Sequence, residues 1–306
     1  MFGSKNYNYR SFDREQLRKE LNGKLMNGPQ AGEEAPDFEL PSPEGEKVRL
    51  SDYAGEKNVV LTFGSATCPM TAGSIRGLNR LYEQYSDGGV QFLFVYVREA
   101  HPGEDLPAHR SLDDKAEAAE LFRQEEGVEM PILLDTLEGK VHRQYGGRPN
   151  STYLIDKSGR VAFRAVWTRP SVVEEALEEL LEHQDETGKE HAVVRGGEDT
   201  SLPRRYGMLH AHRALERGGR RAVGDFKEAM GATGRVAMAT SRMAEPVMLH
   251  PIKAFAAVAI AGGVVAGALY AGMRLLQRRL QMRSPYYFPR PRRRKGEAGG
   301  YEAVGI

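Results

Sequence analysis

The sequence predicts an α/β domain with a central mixed sheet and flanking helices. Two apolar runs of strand length, 58–63 and 90–97, are typical of strands that are buried on both faces. Between them, the apolar residues after Pro69 recur at helical spacing, which indicates a strand-helix-strand crossover with parallel strands. Farther on, segments 153–156 and 161–166 flank a Lys-Ser-Gly turn and predict an antiparallel hairpin. Parallel and antiparallel pairs together make the sheet mixed.

The other elements follow from the same kinds of pattern. Alternating residues on both sides of a Pro/Gly turn predict a short hairpin between Ala35 and Leu50. We also predict helices at 112–126 and 137–145 and a short strand at 132–135. Ser171, three residues before Glu174, matches a capping box that would open the last helix of the domain.

The chain divides into five predicted segments. They are a polar N-terminal extension (1–31), the α/β domain (32–184), a basic flexible linker (185–251), an apolar helix (252–275) and a basic C-terminal tail (276–306). The first 21 residues contain no apolar run, so we expect a polar helix there and no secretory signal. The linker assignment depends on the absence of a clear period among many Gly and Arg residues, and within it we expect some helix around 223–244.

Segment 252–275 is a candidate transmembrane helix. Residues 254–273 contain no charged side chain, and this length is sufficient to span the hydrocarbon core of a bilayer. The alternative is a buried helix of a soluble protein. Nine basic residues in 274–295 would place the tail in the cytoplasm, whereas a folded domain without a signal is difficult to translocate. We expect a single-pass membrane protein with its α/β domain on the cytoplasmic side.

Composition excludes several classes of site. The 43 basic and 42 acidic side chains leave a net charge of +1, which by itself argues neither for nor against a nucleic-acid partner; we expect none. The single cysteine allows no disulfide within the chain and no cysteine-rich zinc site. The histidines, including His210 and His212, show no ligand spacing with carboxylates, and we expect neither a metal nor another cofactor.

Cys68 is the candidate nucleophile. A strand that ends near Phe63, a short loop and then Cys68-Pro69 would place the sulfur at the amino terminus of a helix. The helix dipole and the free N–H groups there favour the thiolate, which is the nucleophilic form of cysteine. The alternative is a structural cysteine that is buried as a small apolar residue.

Several motifs resemble a known family. Ala-Pro-Asp-Phe at 35–38, the segment 48–53 and the strand leading to Cys68-Pro69 resemble the redoxin and peroxiredoxin-like (AhpC/TSA-type) branch of the thioredoxin superfamily. More specifically, the chain resembles the iodothyronine deiodinase family in segments 63–69, 81–87, 92–97, 99–102 and 145–149. The resemblance covers about half the chain and implies a thioredoxin-like fold for 32–184.

The resemblance also implies site residues. In deiodinases the position that matches Cys68 holds selenocysteine, and the residue that matches His101 assists substrate binding or proton transfer in the active site. Sulfur is the poorer nucleophile at neutral pH, so we expect a thiol reductase or peroxidase rather than a deiodinase. Thr71 stands where thioredoxins have their second cysteine, and of the peroxiredoxin pattern Ser65 is present while Leu61 replaces the proline.

Further assignments concern His101 and the residues expected around it and Cys68. His101 follows the second central strand, where the carboxyl ends of parallel strands gather around a site, although a surface histidine is the alternative. Glu99 would orient His101 or simply be solvated. Pro149 resembles the cis-proline that faces the redox cysteine in this fold, or is an ordinary loop proline. Supporting positions in the cysteine loop are Ser65, Thr67 and Pro69.

These observations favour a membrane-tethered thiol oxidoreductase with one nucleophilic cysteine. It would reduce a peroxide, a disulfide or a halogenated compound and be reset by an external thiol or thioredoxin-type reductant, and it could form a homodimer. In the first alternative the domain is a binding module in which Cys68 is chemically idle. In the second, the arginine-rich C-terminal part binds anionic lipids and is the functional element.

Overall fold

The computed structural model describes residues 7–22, 27–195 and 207–249. The predicted transmembrane helix at 252–275 and the basic tail at 276–306 lie outside this part of the chain and stay predictions. Within the described ranges, no helix has the length and apolar character needed to cross a bilayer.

A five-stranded mixed sheet forms the centre of the domain, as predicted. Its spatial order is β5-β4-β3-β6-β7. The strands are β3 (Asn58–Gly64), β4 (Val90–Tyr96), β5 (Ile132–Leu134), β6 (Ser151–Ile155) and β7 (Val161–Ala165). Strands β3, β4 and β5 run parallel to one another, β6 pairs antiparallel with β3, and β7 pairs antiparallel with β6. Every residue of β3 is buried, which explains its continuous apolar sequence.

Helices cover both faces of this sheet, and a small separate hairpin precedes it. The helices in this part of the chain are α1 (Arg14–Asn22), α2 (Pro69–Tyr85), α3 (Leu112–Glu126), α4 (Lys140–Gln144) and α5 (Pro170–Thr187), and the hairpin strands are β1 (Glu39–Pro41) and β2 (Lys47–Arg49). Helix α2 connects the parallel strands β3 and β4, so the predicted crossover is confirmed. The cysteine loop, which connects β3 to α2, therefore lies at the carboxyl edge of the sheet.

One helix start differs from its prediction. The predicted capping box at Ser171 and Glu174 is wrong, because α5 begins at Pro170 with Arg169 as its N-cap residue and without a side-chain cap. Proline is favoured in the first turn since its missing N–H has no helical partner there. A capping box does open α3, where the Ser111 hydroxyl accepts from the Asp114 N–H.

The segment predicted as a flexible linker (185–251) contains three packed helices. They are α6 (Ala211–Arg217), α7 (Arg220–Met230) and α8 (Ala232–Leu249). Their apolar faces form a second core with Phe12, which precedes α1. The basic composition misled the prediction, because Arg213 and Arg217 are paired with carboxylates of α3, far away in sequence. The helices α6–α8 thus cover the carboxyl edge of the sheet.

Candidate active site

Cys68 and the segment around His101 are joined by hydrogen bonds between their loops. Cys68 is the N-cap residue of α2, and Pro69 occupies the first helical turn, as predicted. The Ser65 hydroxyl accepts from the Ala100 N–H at 3.2 Å, and the Thr67 hydroxyl accepts from the His101 N–H at 3.0 Å. Both hydroxyls are buried, so their loss would leave unpaired N–H groups. Ser65 and Thr67 therefore hold the two loops together.

The state of the Cys68 thiol differs from the prediction. The side chain is buried, and this burial raises the pKa of Cys68 to about 11, although hydrogen bonds from Thr71 oppose the rise. The predicted preference for thiolate at the helix terminus is thus outweighed by the cost of placing a charge in apolar surroundings. In the closed arrangement the sulfur carries its proton at pH 7. Thr71, which replaces the second cysteine of thioredoxins, contacts the sulfur as a hydrogen-bond partner.

His101 lies at the same cavity as Cys68, but it is uncharged. Burial lowers the pKa of His101 to about 3, so the imidazole is neutral at pH 7 and cannot stabilise a thiolate as a cation. Its ring packs against Phe12 and Phe226, with centroids 4.2 and 5.4 Å away. Its Nδ1 atom has no hydrogen-bond partner in the part of the chain that the structure describes. A neutral ring with an unused nitrogen can donate or accept one hydrogen bond from a bound molecule.

Glu99 is buried and hydrogen-bonds to the cysteine loop, whereas the sequence left open whether it orients His101 or is solvated. Its carboxylate accepts from the Thr67 N–H at 3.0 Å and from the Thr67 hydroxyl at 2.6 Å, and Tyr96 donates to its other oxygen. His109 lies 3.4 Å from the same oxygen as Tyr96. Burial would raise the pKa of Glu99, yet the hydrogen bonds from His109, Thr67 and Tyr96 hold it below the usual value. Through the Thr67 hydroxyl, Glu99 is also linked to the His101 N–H.

A cavity of about 390 Å³ brings the predicted residues together. Cys68, Pro69, His101 and Pro149 all line it, next to Trp167. Pro149 is thus at the site, but the peptide bonds in the described ranges are all trans, unlike the cis-proline that it resembles. A cavity of this size and apolar character suits a small organic molecule.

Residues outside the α/β domain complete the cavity, and no sequence pattern predicted that they would line it. The N-terminal part contributes Phe12, Leu17 and Glu20, and the C-terminal helices with their approach contribute Gly207, Met208, Phe226, Met230 and Thr233. Burial raises the pKa of Glu20 to about 7, with Arg98 opposing the shift. The helical spacing of Ala222 and Phe226 was the one signal that could have indicated a packed face.

A family comparison agrees with the location of this site. Residues 31–164 match the AhpC/TSA family, and this range includes Cys68, His101 and Pro149. The match ends before α5 and excludes α1 and α6–α8, which close the cavity.

Individual relatives are similar over the same region. A thyroxine 5-deiodinase from Ovis aries is 33% identical over 144 residues, covering 44% of this chain and 48% of that protein. A thyroxine 5-deiodinase from Gallus gallus is 30% identical over 162 residues, covering 48% of this chain and 62% of that protein. Among solved structures, a putative thiol:disulfide interchange protein DsbE from Chlorobium tepidum is 29% identical, covers 50% of this chain and 95% of its own, and has a TM-score of 0.39. The chain spans about half the length of the first of these curated relatives.

Proposed function

We propose that this chain, in which residues 31–164 form a redoxin domain of the thioredoxin fold, is a thiol-dependent oxidoreductase that reduces an apolar small molecule at Cys68. The observation that carries the proposal is the cavity, because Cys68 and His101 both line it within apolar walls. Cys68 is only 2% exposed under a helical cover, which favours a molecule that enters the cavity over a protein disulfide. The substrate is therefore an organic peroxide or a halogenated organic compound.

The chemical cycle needs one cysteine and two equivalents of an outside thiol. With a peroxide ROOH, the Cys68 sulfur attacks the terminal oxygen, the O–O bond breaks, and Cys–SOH and ROH form. With an aryl halide ArX, the sulfur attacks the halogen, the C–X bond breaks, Cys–SX forms, and protonation of the released aryl carbanion gives ArH. A first external thiol then forms a mixed disulfide on Cys68, with loss of water or hydrogen halide. A second thiol releases the external disulfide and restores Cys68. The chain contains no other cysteine to resolve the intermediate.

Opening of the cavity for substrate entry also changes the pKa of the Cys68 thiol. Because Cys68 has a raised pKa through burial, any opening of the cavity toward water lowers its pKa toward the ordinary value. The neutral His101 imidazole can then pass or hold a proton at Nδ1 while the leaving oxygen or carbon is protonated. Thiolate formation is thus coupled to opening, and the closed site protects the sulfur from over-oxidation.

A turnover assay with purified chain tests this function. Dithiothreitol consumption should depend on protein with cumene hydroperoxide or an iodophenol, since both fit an apolar cavity, and it should be slower with the protein disulfide insulin. The rate is followed as thiol loss, and product as cumyl alcohol or iodide. Thiol loss with insulin alone would contradict the small-molecule assignment.

The second candidate is an apolar binding module in which Cys68 is idle. The observation that favours it is the raised pKa of Cys68, which leaves little thiolate at pH 7 in the closed state. In this case neither substrate would give thiol consumption, while both would bind and raise the melting temperature.

Membrane tethering through 252–275 and a cytoplasmic location of the redoxin domain are part of the proposal. The charge-free stretch 254–273 supports the anchor. Full-length protein expressed in cells should pellet with membranes and stay there after alkaline washing, whereas a chain truncated after residue 251 should be recovered in the supernatant. Recovery of the full-length protein in the supernatant would exclude a spanning helix.

A further inference from the structure

The peptide unit between Ala66 and Thr67 is held at both ends by buried charged side chains. Its carbonyl oxygen accepts from Arg217 Nη1 at 3.0 Å, and its N–H donates to Glu99 Oε2 at 3.0 Å. The cation meets the negative end of the peptide dipole and the carboxylate meets the positive end. This peptide unit lies one residue before Cys68, so its orientation affects where the sulfur lies.

Arg217 is itself fixed from the opposite side. Its Nε and Nη2 donate to the carboxylates of Glu125 and Glu126 at the end of α3. The Arg217 side chain is only 4% exposed. A planar guanidinium whose donors point in several directions can satisfy carboxylates and a carbonyl at once, which an ammonium group cannot do in the same geometry. Arg217 therefore links α3, α6 and the cysteine loop through one group.

The junction between α6 and α7 also holds the loop that bears His101. The Gly218 carbonyl accepts from the Asp105 N–H at 3.2 Å, and Arg221 donates to the Gly103 carbonyl at 2.7 Å. The approach is close, because a Cβ added at Gly218 would lie 2.7 Å from the His101 carbonyl oxygen. Contacts from outside the family-matched region 31–164 thus hold both loops of the site.

We propose that Arg217 is a positioning residue for the reaction at Cys68, acting from the C-terminal helices through the Ala66 carbonyl. The proposal rests on the proposed function in taking Cys68 as the reacting group. Without Arg217 the peptide unit loses one of its two charged partners, and the sulfur is no longer held against a bound substrate. Attack geometry is lost while the cavity walls remain, so turnover falls more than binding does.

Arg213 offers a matched control on the same helix. It pairs with Glu126 at 2.8 Å and with Glu245 at 2.9 Å, so it also contributes ion pairs between α6, α3 and α8. No hydrogen bond or ion pair of the described residues joins it to the cysteine loop. Arg213→Met therefore removes a comparable structural contact and leaves the Ala66 carbonyl with its donor.

The first test measures steady-state kinetics of full-length Arg217→Met and Arg213→Met with dithiothreitol and cumene hydroperoxide. Arg217→Met should lower kcat by ~10-fold to 100-fold and change KM by less than about twofold, as expected for a misplaced reacting group. Arg213→Met should stay within about twofold of the parent chain in both constants. Equal losses in the two variants would overturn the positioning role.

The second test needs no substrate turnover and so separates this inference from the proposed function. Only thiolate reacts with iodoacetamide, so below its pKa the alkylation rate of Cys68 rises about tenfold per pH unit. The parent chain and Arg213→Met should still show a rising rate between pH 9 and about 11, because burial raises the pKa of Cys68 to about 11. In Arg217→Met, the loosened turn admits water and the midpoint should move to lower pH. Identical profiles for all three proteins would overturn the inference even if no substrate is turned over.

A milder substitution covers the case in which Arg217→Met does not fold. Arg217→Lys keeps a cation near Glu126, but its single ammonium group cannot also serve the Ala66 carbonyl. It should show the same lowered alkylation midpoint with a melting temperature close to that of Arg213→Met. A midpoint unchanged from the parent chain would contradict the role of the Ala66 contact.

Discussion

Replacing Cys68 with serine should abolish turnover of both peroxide and halogenated substrates while the protein stays folded. The two side chains differ little in volume, but a serine hydroxyl is a far weaker nucleophile than a cysteine thiol. The buried hydroxyl would find a partner in Thr71, which already hydrogen-bonds to the sulfur. We expect less than about one per cent of the parent rate, measured as thiol loss under saturating substrate.

A variant that carries its thiol at a different position provides the control for this experiment. Thr71→Cys in the Cys68→Ser background returns one thiol to the same helix, three residues farther along, at a position that is also buried. It should not restore turnover, because the sulfur is no longer at the N-cap position. Comparable circular dichroism and thermal unfolding of both variants would establish that the fold is intact. Residual turnover of more than a few per cent in Cys68→Ser would refute the nucleophile assignment.

Replacing His101 with alanine should lower kcat by ~10-fold to 100-fold, the range typical of a positioned proton-transfer group. The imidazole lines the cavity, and its Nδ1 has no hydrogen-bond partner among the described residues. Because burial lowers the pKa of His101 to about 3, its titration lies below the working range. The parent enzyme should therefore show no His101 inflection in its pH-rate profile between pH 5 and 8, and the loss in His101→Ala should be the same throughout that range.

Two asparagine variants distinguish chemistry from packing. His101→Asn keeps a hydrogen-bonding group near the position of Nδ1 and should recover part of the rate that alanine loses. His210 is also buried and its pKa is lowered to about 3 by burial, but it does not line the cavity. His210→Asn should therefore change stability without changing kcat. If His101→Ala and His210→Asn give equal rates, His101 serves packing alone.

The sequence predicted the sheet and the two central loops because the information is local. The all-apolar run of β3 can be buried only between two layers, and the segment after Pro69 has the spacing of a helix. Cys68 and His101 each follow a parallel strand, and strand ends meet at one edge of a sheet. These relations need no knowledge of distant contacts, and the structure brings both residues to one cavity.

The sequence by itself thus determined the fold of the α/β domain, the identity of the one thiol and the edge of the sheet at which it lies. Only the tertiary structure decided the protonation states of Cys68 and His101, since desolvation depends on what covers them: Phe12, Met208 and Phe226 come from opposite ends of the chain. It also decided that residues 211–249 are ordered helices. Their arginines look solvated in sequence, but Arg217 finds Glu125, Glu126 and the Ala66 carbonyl only once α3 and α6 have packed together. A charge is buried only with its partners, and the partners of Arg217 lie about ninety and about one hundred and fifty residues away along the chain.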